Sequence, residues 1–460
     1  MSEPLPAQPD PLPSARPARP GKPAWLRVAS AQEFGLLVVI AVMVVGLTLA
    51  TPWIARPERV GVPEGATVDQ TATAVVVSEP GHASVSYPIA EGWGLTQRGT
   101  MQFVEQKERR SLSNGTVVED LPDARGWTAT GVGVAAEFLA ADGWQLAEGP
   151  DGVPSFERDP RVNRFFNKDN LIAVGTYASF IAIMAVGMTG IIVMGGIDLS
   201  VGAIYALSAV VGATALQAVG QALPGISPWA VVPLGVVVCG GVGALCGAVN
   251  GGASVGLGVH PFIITLGGMA VYRGIAFVLS KGLSIGEFPP AYAGVIRSSL
   301  LGINPVPTLI MVLVGLAGAF VATRTVFGRQ TFAIGGNETA ARYAGIPVGR
   351  VKVQLFVIVG ALAGLSAAIM LGYLGAGSSD AGNGYELNVI AAAVVGGASL
   401  SGGRGSAVGA VLGAIVIQLI NNGFDVLGID SNYRQIVIGL AIVLAVVVDQ
   451  AKYRFFAAKR

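Results

Sequence analysis

The sequence predicts an all-α polytopic membrane protein with about ten transmembrane helices and a small α+β extracytoplasmic insert after the first helix. Three observations predict it. Hydrophobic residues make up 52% of the 460 and charged residues only 12%, against about 25% charged in soluble domains. Apolar runs long enough to cross a bilayer recur along the chain. The 65 glycines and the 7% aromatic content suit helices that pack closely in a membrane. A net charge of +1 gives no polybasic surface, so nucleic acid is not an expected partner. With two histidines and no HExxH or CxxC spacing, a metalloenzyme is disfavoured, and no metal site is expected. Cys239 and Cys246 share one apolar stretch, seven apart on one side of a helix, and read as packing residues.

Residues 1–33 form a Pro/Ala-rich tail carrying Arg16, Arg19, Lys22 and Arg27, too polar and proline-rich for a core. The first apolar run, 34–54, is long enough to span. A cleaved signal peptide is the rival reading, but Pro52 and Trp53 follow the run instead of an A-x-A site, so a retained anchor is expected. The basic residues before it place that end in the cytoplasm. Residues 55–165 change character. Charges and turn formers (Glu79-Pro80-Gly81, Ser113-Asn114-Gly115) become frequent. Alternation over Thr73–Ser78 and Ser84–Ile89 predicts strands, and 134–144 reads as an amphipathic helix.

The apolar body, 166–450, supplies the remaining spans at about 171–195, 200–221, 229–250, 260–280, 305–325, 351–374, 387–399, 405–423 and 432–449, and 451–460 is a basic tail. The 387–399 run is short and glycine-terminated, so a broken or re-entrant helix is expected there. An even count puts both ends in the cytoplasm. The basic residues Lys452, Arg454, Lys459 and Arg460, and the loop 327–350 with Arg329, Arg342 and Arg350, agree with that orientation. Small-xxx-small spacings (Gly243/Gly247/Gly251, Gly360/Gly364, Gly409/Gly413) fit close helix packing. No Walker phosphate loop is present, so no nucleotide cofactor is expected on this chain.

Four segments break the apolar pattern. In Gly195–Gly202, Asp198 and Ser200 read as the cap region of the following helix, while an acid at membrane depth is also a functional candidate. In Gly335–Ile346, Asn337 caps a short helix, Glu338 sits in its first turn and Gly345 ends it. That helix is either a docking element or part of an ordinary solvated loop. Residues 385–406 carry Asn388, Ser399 and Ser401 among many glycines, and are either irregular backbone lining a cavity or a plain turn. In 260–274, His260 reads as an interface anchor, Thr265 lies within the PFIITLG stretch, and the mid-span Arg273 needs a partner.

Together these segments resemble the membrane permease subunits of bacterial ATP-binding-cassette sugar importers of the ribose, xylose, galactose and arabinose type, within a superfamily that includes branched-chain amino-acid permeases. The family's GGIDLSVG stands at 195–202, its PFIxTLG at 261–267 followed by YRG at 272–274, its GxNxxAARxxGI at 336–346, and its ELxVIAAxVxGGxSLSGGRGS at 386–406. The resemblance covers about 165–450 in order. It implies a multi-pass protein of the bacterial inner membrane that performs no covalent chemistry. Its partners would be cytoplasmic ATPase subunits that bind the ATP, an extracytoplasmic sugar-binding protein, a second permease copy or paralogue, and membrane lipids. It makes 336–346 a coupling helix, carried by Asn337, Glu338, Ala341, Arg342 and Gly345. Asp198, Ser200, Thr265, Arg273, Asn388, Ser399 and Ser401 would belong to the translocation pathway and its gate.

Two departures stand out. Asn388 replaces an acidic residue common in the family, and the 55–165 insert exceeds the family's short first connection. The insert is expected to reinforce docking of the binding protein, to replace part of it, or only to decorate the surface. The rival readings are an ion-coupled secondary transporter and a membrane enzyme. The first has few acidic groups well inside the spans to couple to, and the second has no nucleophile–base pair or metal cluster.

Overall fold

A computed structural model describes residues 31–51, 161–298, 305–430, 433–440, 443 and 447, together with the backbones of the strands between 53 and 158. Its helices are α1 (Ala31–Ala50), α2 (Lys168–Val193), α3 (Val201–Ala222), α4 (Pro228–Leu257), α5 (Pro261–Ser280), α6 (Pro290–Ile296), α7 (Val306–Arg324), α8 (Val326–Gly336), α9 (Glu338–Tyr343), α10 (Val348–Leu374), α11 (Tyr385–Val395) and α12 (Ala407–Leu427).

Eight of these, α1–α5, α7, α10 and α12, are long and apolar enough to cross a membrane. The expected count of ten is therefore reduced to eight among the described residues. Of the remaining two predicted spans, α11 has 11 residues, too few for a bilayer that needs about 20, as its short glycine-bounded run implied. The last, 432–449, is helical over 433–440 and at 443 and 447, and otherwise lies outside the described residues. The expected loop 327–350 holds the short helix the sequence predicts, α9, and also α8, whose glycines and polar residues hid it from an apolar-run search.

The chain divides into two units, one of residues 1–41, 178–417 and 438–460, the other of 42–177 and 418–437. In the first, α3 and α10 are buried along most of their length, while α5 and α7 expose most of theirs. The seam between α4 and α10 is built from glycine. A Cβ on Gly243 would strike the Gly360 carbonyl oxygen, and one on Gly360 would strike that of Gly243. Gly247 and Gly364 meet carbonyls across the same seam, and Gly396, Gly409 and Gly413 bring α11 equally close to α12. Where lipid is as apolar as any side chain, such close backbone approach is what holds helices together.

The second unit contains the insert. Its strands are all antiparallel, including Thr67–Gln70 with Ala74–Ser78 with Val85–Pro88, close to the two strands expected. The helix expected over 134–144 is instead the strand Val134–Leu139, paired to Gly126–Gly131. An alternating partner strand outweighs the local helical period of a short apolar segment. The insert begins and ends at one neck, where Trp53–Ala55 pairs with Arg161–Asn163. Asn163 pins that neck to the end of α1. Its Nδ2 donates to the carbonyls of Thr48 at 2.9 Å and Thr51 at 3.3 Å, and its Oδ1 accepts from the Phe165 and Phe166 amides. Nearby, Asn170 and Asn422 exchange hydrogen bonds at 3.0 and 2.7 Å.

Candidate functional site

The link Met194–Ser200 between α2 and α3 is non-helical and buries a polar chain. Asp198 Oδ1 accepts from the Ser200 amide at 2.8 Å and the Ser200 hydroxyl at 2.6 Å. Ser200 Oγ accepts from Asn250 Nδ2 at 2.8 Å, and Asn250 Oδ1 accepts from the Tyr272 hydroxyl at 2.9 Å. Thr265 closes the group, its Oγ1 accepting from the Leu199 amide at 3.2 Å. Asp198, Ser200 and Thr265 are fully buried, and Asp198 Oδ2 has no hydrogen-bond partner among the described residues. The expected cap region is where the sequence placed it, with a different role for the serine side chain. Ser200 occupies the N-cap position, but its side chain makes no cap bond and instead joins Asp198 to α4. Asn250 went unnoticed in the sequence because it sits in a plain span 50 residues from Ser200, and Tyr272, 72 residues away, stood in the YRG stretch without a role of its own.

Arg273, one residue further on α5, finds the partners it needs in backbone. Its guanidinium donates to the carbonyls of Ser379 at 2.8 Å, Ala381 at 2.7 Å and Gly382 at 3.4 Å. These belong to the irregular segment 376–384 before α11. Gly382 and Gly384 hold φ of +66° and +77°, a left-handed conformation that glycine adopts without steric cost. Glu386, at the start of α11, faces Gly202, where a Cβ would collide with the carboxylate, and its Oε2 is buried without a hydrogen-bond partner among the described residues. The first turn of α3, the middle of α5 and the start of α11 therefore converge on one polar region. Asn388 lies half-buried on the next turn of α11.

Ser399 and Ser401 lie in a different place, the loop after α11. Ser399 is buried and Ser401 exposed. This loop is anchored by the Gly403 amide, which donates to the Val193 carbonyl at 2.8 Å. Gly335, at the end of α8, is wedged against Val193 and Gly403. Ser406 then donates to Glu33 Oε1 of α1 at 2.6 Å. His260 is exposed and caps α5, its Nδ1 accepting from the Phe262 amide at 3.3 Å.

Directly beyond α8, Asn337 Oδ1 accepts from the Ala340 amide at 2.9 Å and starts α9, and Gly345 at φ +82° follows its end, as the sequence predicts. Ala341 is its one buried residue, whereas Arg342 and Tyr343 are exposed. Glu338 bonds Arg342 at 3.0 Å and also Lys352 of α10 at 2.9 Å. The Lys352 hydrogen bond, opposed by partial burial and aided by Arg342, holds the Glu338 carboxyl below its ordinary value.

An apolar cavity of about 250 Å³ lies between α2, α7, α8 and α10, lined by residues such as Val186, Val314, Phe327 and Leu355. With almost no polar lining it is a poor path for a hydroxylated solute.

Residues 170–446 match the family described as branched-chain amino acid transport system / permease component. The D-allose transport system permease protein AlsC of Escherichia coli K12 is 37% identical over 286 residues, covering 62% of this chain and 85% of that protein. The ribose import permease protein RbsC of Bacillus subtilis 168 is 40% identical over 290 residues, covering 63% and 87%. That of Escherichia coli K12 is 38% identical over 292 residues, covering 63% and 88%. No solved structure matches the chain. The match covers the seven spanning-length helices from α2 onward and every motif described above, and this multi-pass membrane protein belongs to the branched-chain amino acid transport system / permease component family.

Proposed function

We propose that this chain is the permease subunit of an ATP-binding-cassette importer and forms the membrane pathway for a monosaccharide or a related small polar solute. The relatives named for allose and ribose transport support the solute class. The observation that carries the coupling part is α9, a capped helix of six residues between α8 and α10 with Tyr343 89% exposed. A helix this short is not stable alone and crosses nothing; it suits a groove on a partner.

In this reading the ATPase subunits hold the ATP, and this chain needs no cofactor. Asn337, Glu338, Ala341, Arg342 and Gly345 build the coupling helix, on the cytoplasmic side with both chain ends. The pathway and gate use Asp198, Ser200, Thr265, Arg273, Asn388, Ser399 and Ser401. Closure of the ATPase pair on ATP shifts α9 and switches the pathway between outward and inward access. A second permease copy or a paralogue completes the channel. An extracytoplasmic binding protein delivers the solute on the side of the insert.

The test is purification of the tagged chain from its host membrane in mild detergent. Co-purification of an ATPase, with ATP-dependent sugar uptake after reconstitution with the binding protein, is the expected result. A homo-oligomer without ATPase that takes up solute on a proton gradient would refute the reading.

A further inference from the structure

Both oxygens of the Glu338 carboxylate are engaged within the chain. Oε1 accepts from Arg342 at 3.0 Å, and Oε2 accepts from Lys352 at 2.9 Å. The two bonds differ in kind. Arg342 is four residues on in α9 itself, with its side chain 68% exposed, and supports the helix locally. Lys352 stands on the second turn of α10, with its side chain only 21% exposed. Its bond crosses from one element to another.

Little else orients α9. It buries one side chain, Ala341. The chain leaves it through Gly345, a residue of free backbone. By contrast α10 is firmly held, being buried along most of its length and joined to α4 through the glycine seam.

We infer that Lys352 is a positioning residue that ties the coupling helix to α10, and that Glu338 faces inward to this lysine instead of outward to the ATPase. The inference rests on the permease reading and deepens it. The depressed Glu338 carboxyl agrees with a carboxylate already committed to an internal cation. An exposed ion pair contributes little in water. Once a partner covers α9, water leaves and the same pair strengthens. The brace is therefore slack in the free subunit and firm in the complex, when displacement of α9 must reach the membrane helices. Arg342 and Tyr343 remain as the face presented to the partner.

The experiment uses the whole importer in proteoliposomes, measuring solute uptake and ATP hydrolysis together. Glu338→Lys and Lys352→Glu should each lower uptake about tenfold, a typical size for one coupling interaction, while the ATPase stays bound. ATP consumed per solute should rise accordingly. The double reversal Glu338→Lys/Lys352→Glu should recover most of the uptake, and Lys352→Arg should behave like wild type. Lys352→Met keeps the stem without the charge and replaces the reversal should that variant not insert. The inference is overturned if Lys352→Met or Lys352→Glu transports normally, or if the double reversal is no better than Glu338→Lys alone. Absence of ATP-dependent uptake in the wild-type complex would instead overturn the permease reading itself.

Discussion

Replacing Gly243 with alanine places a methyl group where the Gly360 carbonyl oxygen already sits, far inside the 3.0 Å that real Cβ contacts respect. The obstacle is backbone, which cannot rotate aside, so α4 and α10 must separate. Overpacking of this kind costs about 1–3 kcal/mol. Opposing it, alanine favours a helix over glycine by about 0.8–1 kcal/mol. The net expectation is a loss of roughly 1–2 kcal/mol, taking the upper half of the overpacking range because the struck atoms are backbone. Gly241, two residues away on the same helix, has nothing within 4 Å of its Cβ position. There only the propensity term acts, and Gly241→Ala should be stabilising by up to about 1 kcal/mol. At about 2–4 °C per kcal/mol for a domain of this size, the two variants should melt roughly 5–10 °C apart, with wild type between them. Thermal unfolding of the purified subunit in one detergent measures this directly. Equal melting temperatures for Gly241→Ala and Gly243→Ala would refute the claim that backbone contact holds this seam.

Three further outcomes are expected. Arg273→Gln removes the donors that hold the Ser379, Ala381 and Gly382 carbonyls, and should reduce uptake by at least about tenfold at unchanged membrane level; normal uptake would show that the 376–384 segment keeps its shape unaided. The Glu338 carboxyl is depressed in the folded state, so its contribution is fully present above the ordinary glutamate value of about 4.3 and is lost only as pH falls below it, through the lowered value. Coupling measured as ATP per solute should then be flat from neutral pH down to mildly acidic conditions, and a loss near pH 6–7 would contradict the assignment. Replacing 57–159 by a two-residue turn should close the neck between Trp53–Ala55 and Arg161–Asn163 and leave a membrane-inserted permease; its disappearance from the membrane fraction would make the insert structurally integral.

The long spans were legible because each holds enough consecutive apolar residues to be recognised without its neighbours. The capped α9 was legible for a similar reason, since Asn337, Glu338 and Gly345 mark its start and end within one short stretch of sequence. Recognition failed where structure depends on distant partners. The 134–139 segment has an ambiguous local period, and its strand form is set by pairing with 126–131. Helix α8 carries Arg329, Gln330 and three glycines, so no apolar run announces it. Arg273 was recognised as needing a partner, but backbone carbonyls more than 100 residues away leave no sequence signal. The Asp198 network drew only its two nearest members from the motif, because Asn250 and Tyr272 are brought in by helix packing. Lys352, 14 residues beyond Glu338, lies outside the three-to-four-residue reach of helix-face reasoning.

The bond between Glu33 and Ser406 joins residues 373 positions apart. At about 5–20 residues per second of synthesis, roughly 20–75 s separate their emergence from the ribosome. During that interval α1 must persist in the bilayer with an acidic residue in its first turn that still lacks this hydroxyl. Its 18-residue window of mean hydropathy 2.4 equips it to do so alone. In the finished protein Glu33 is only 6% exposed. Only 11% of that window is buried in the finished protein, so the helix stays mostly open to its surroundings, and the docking of Glu33 marks completion of the chain through α11 and its following loop.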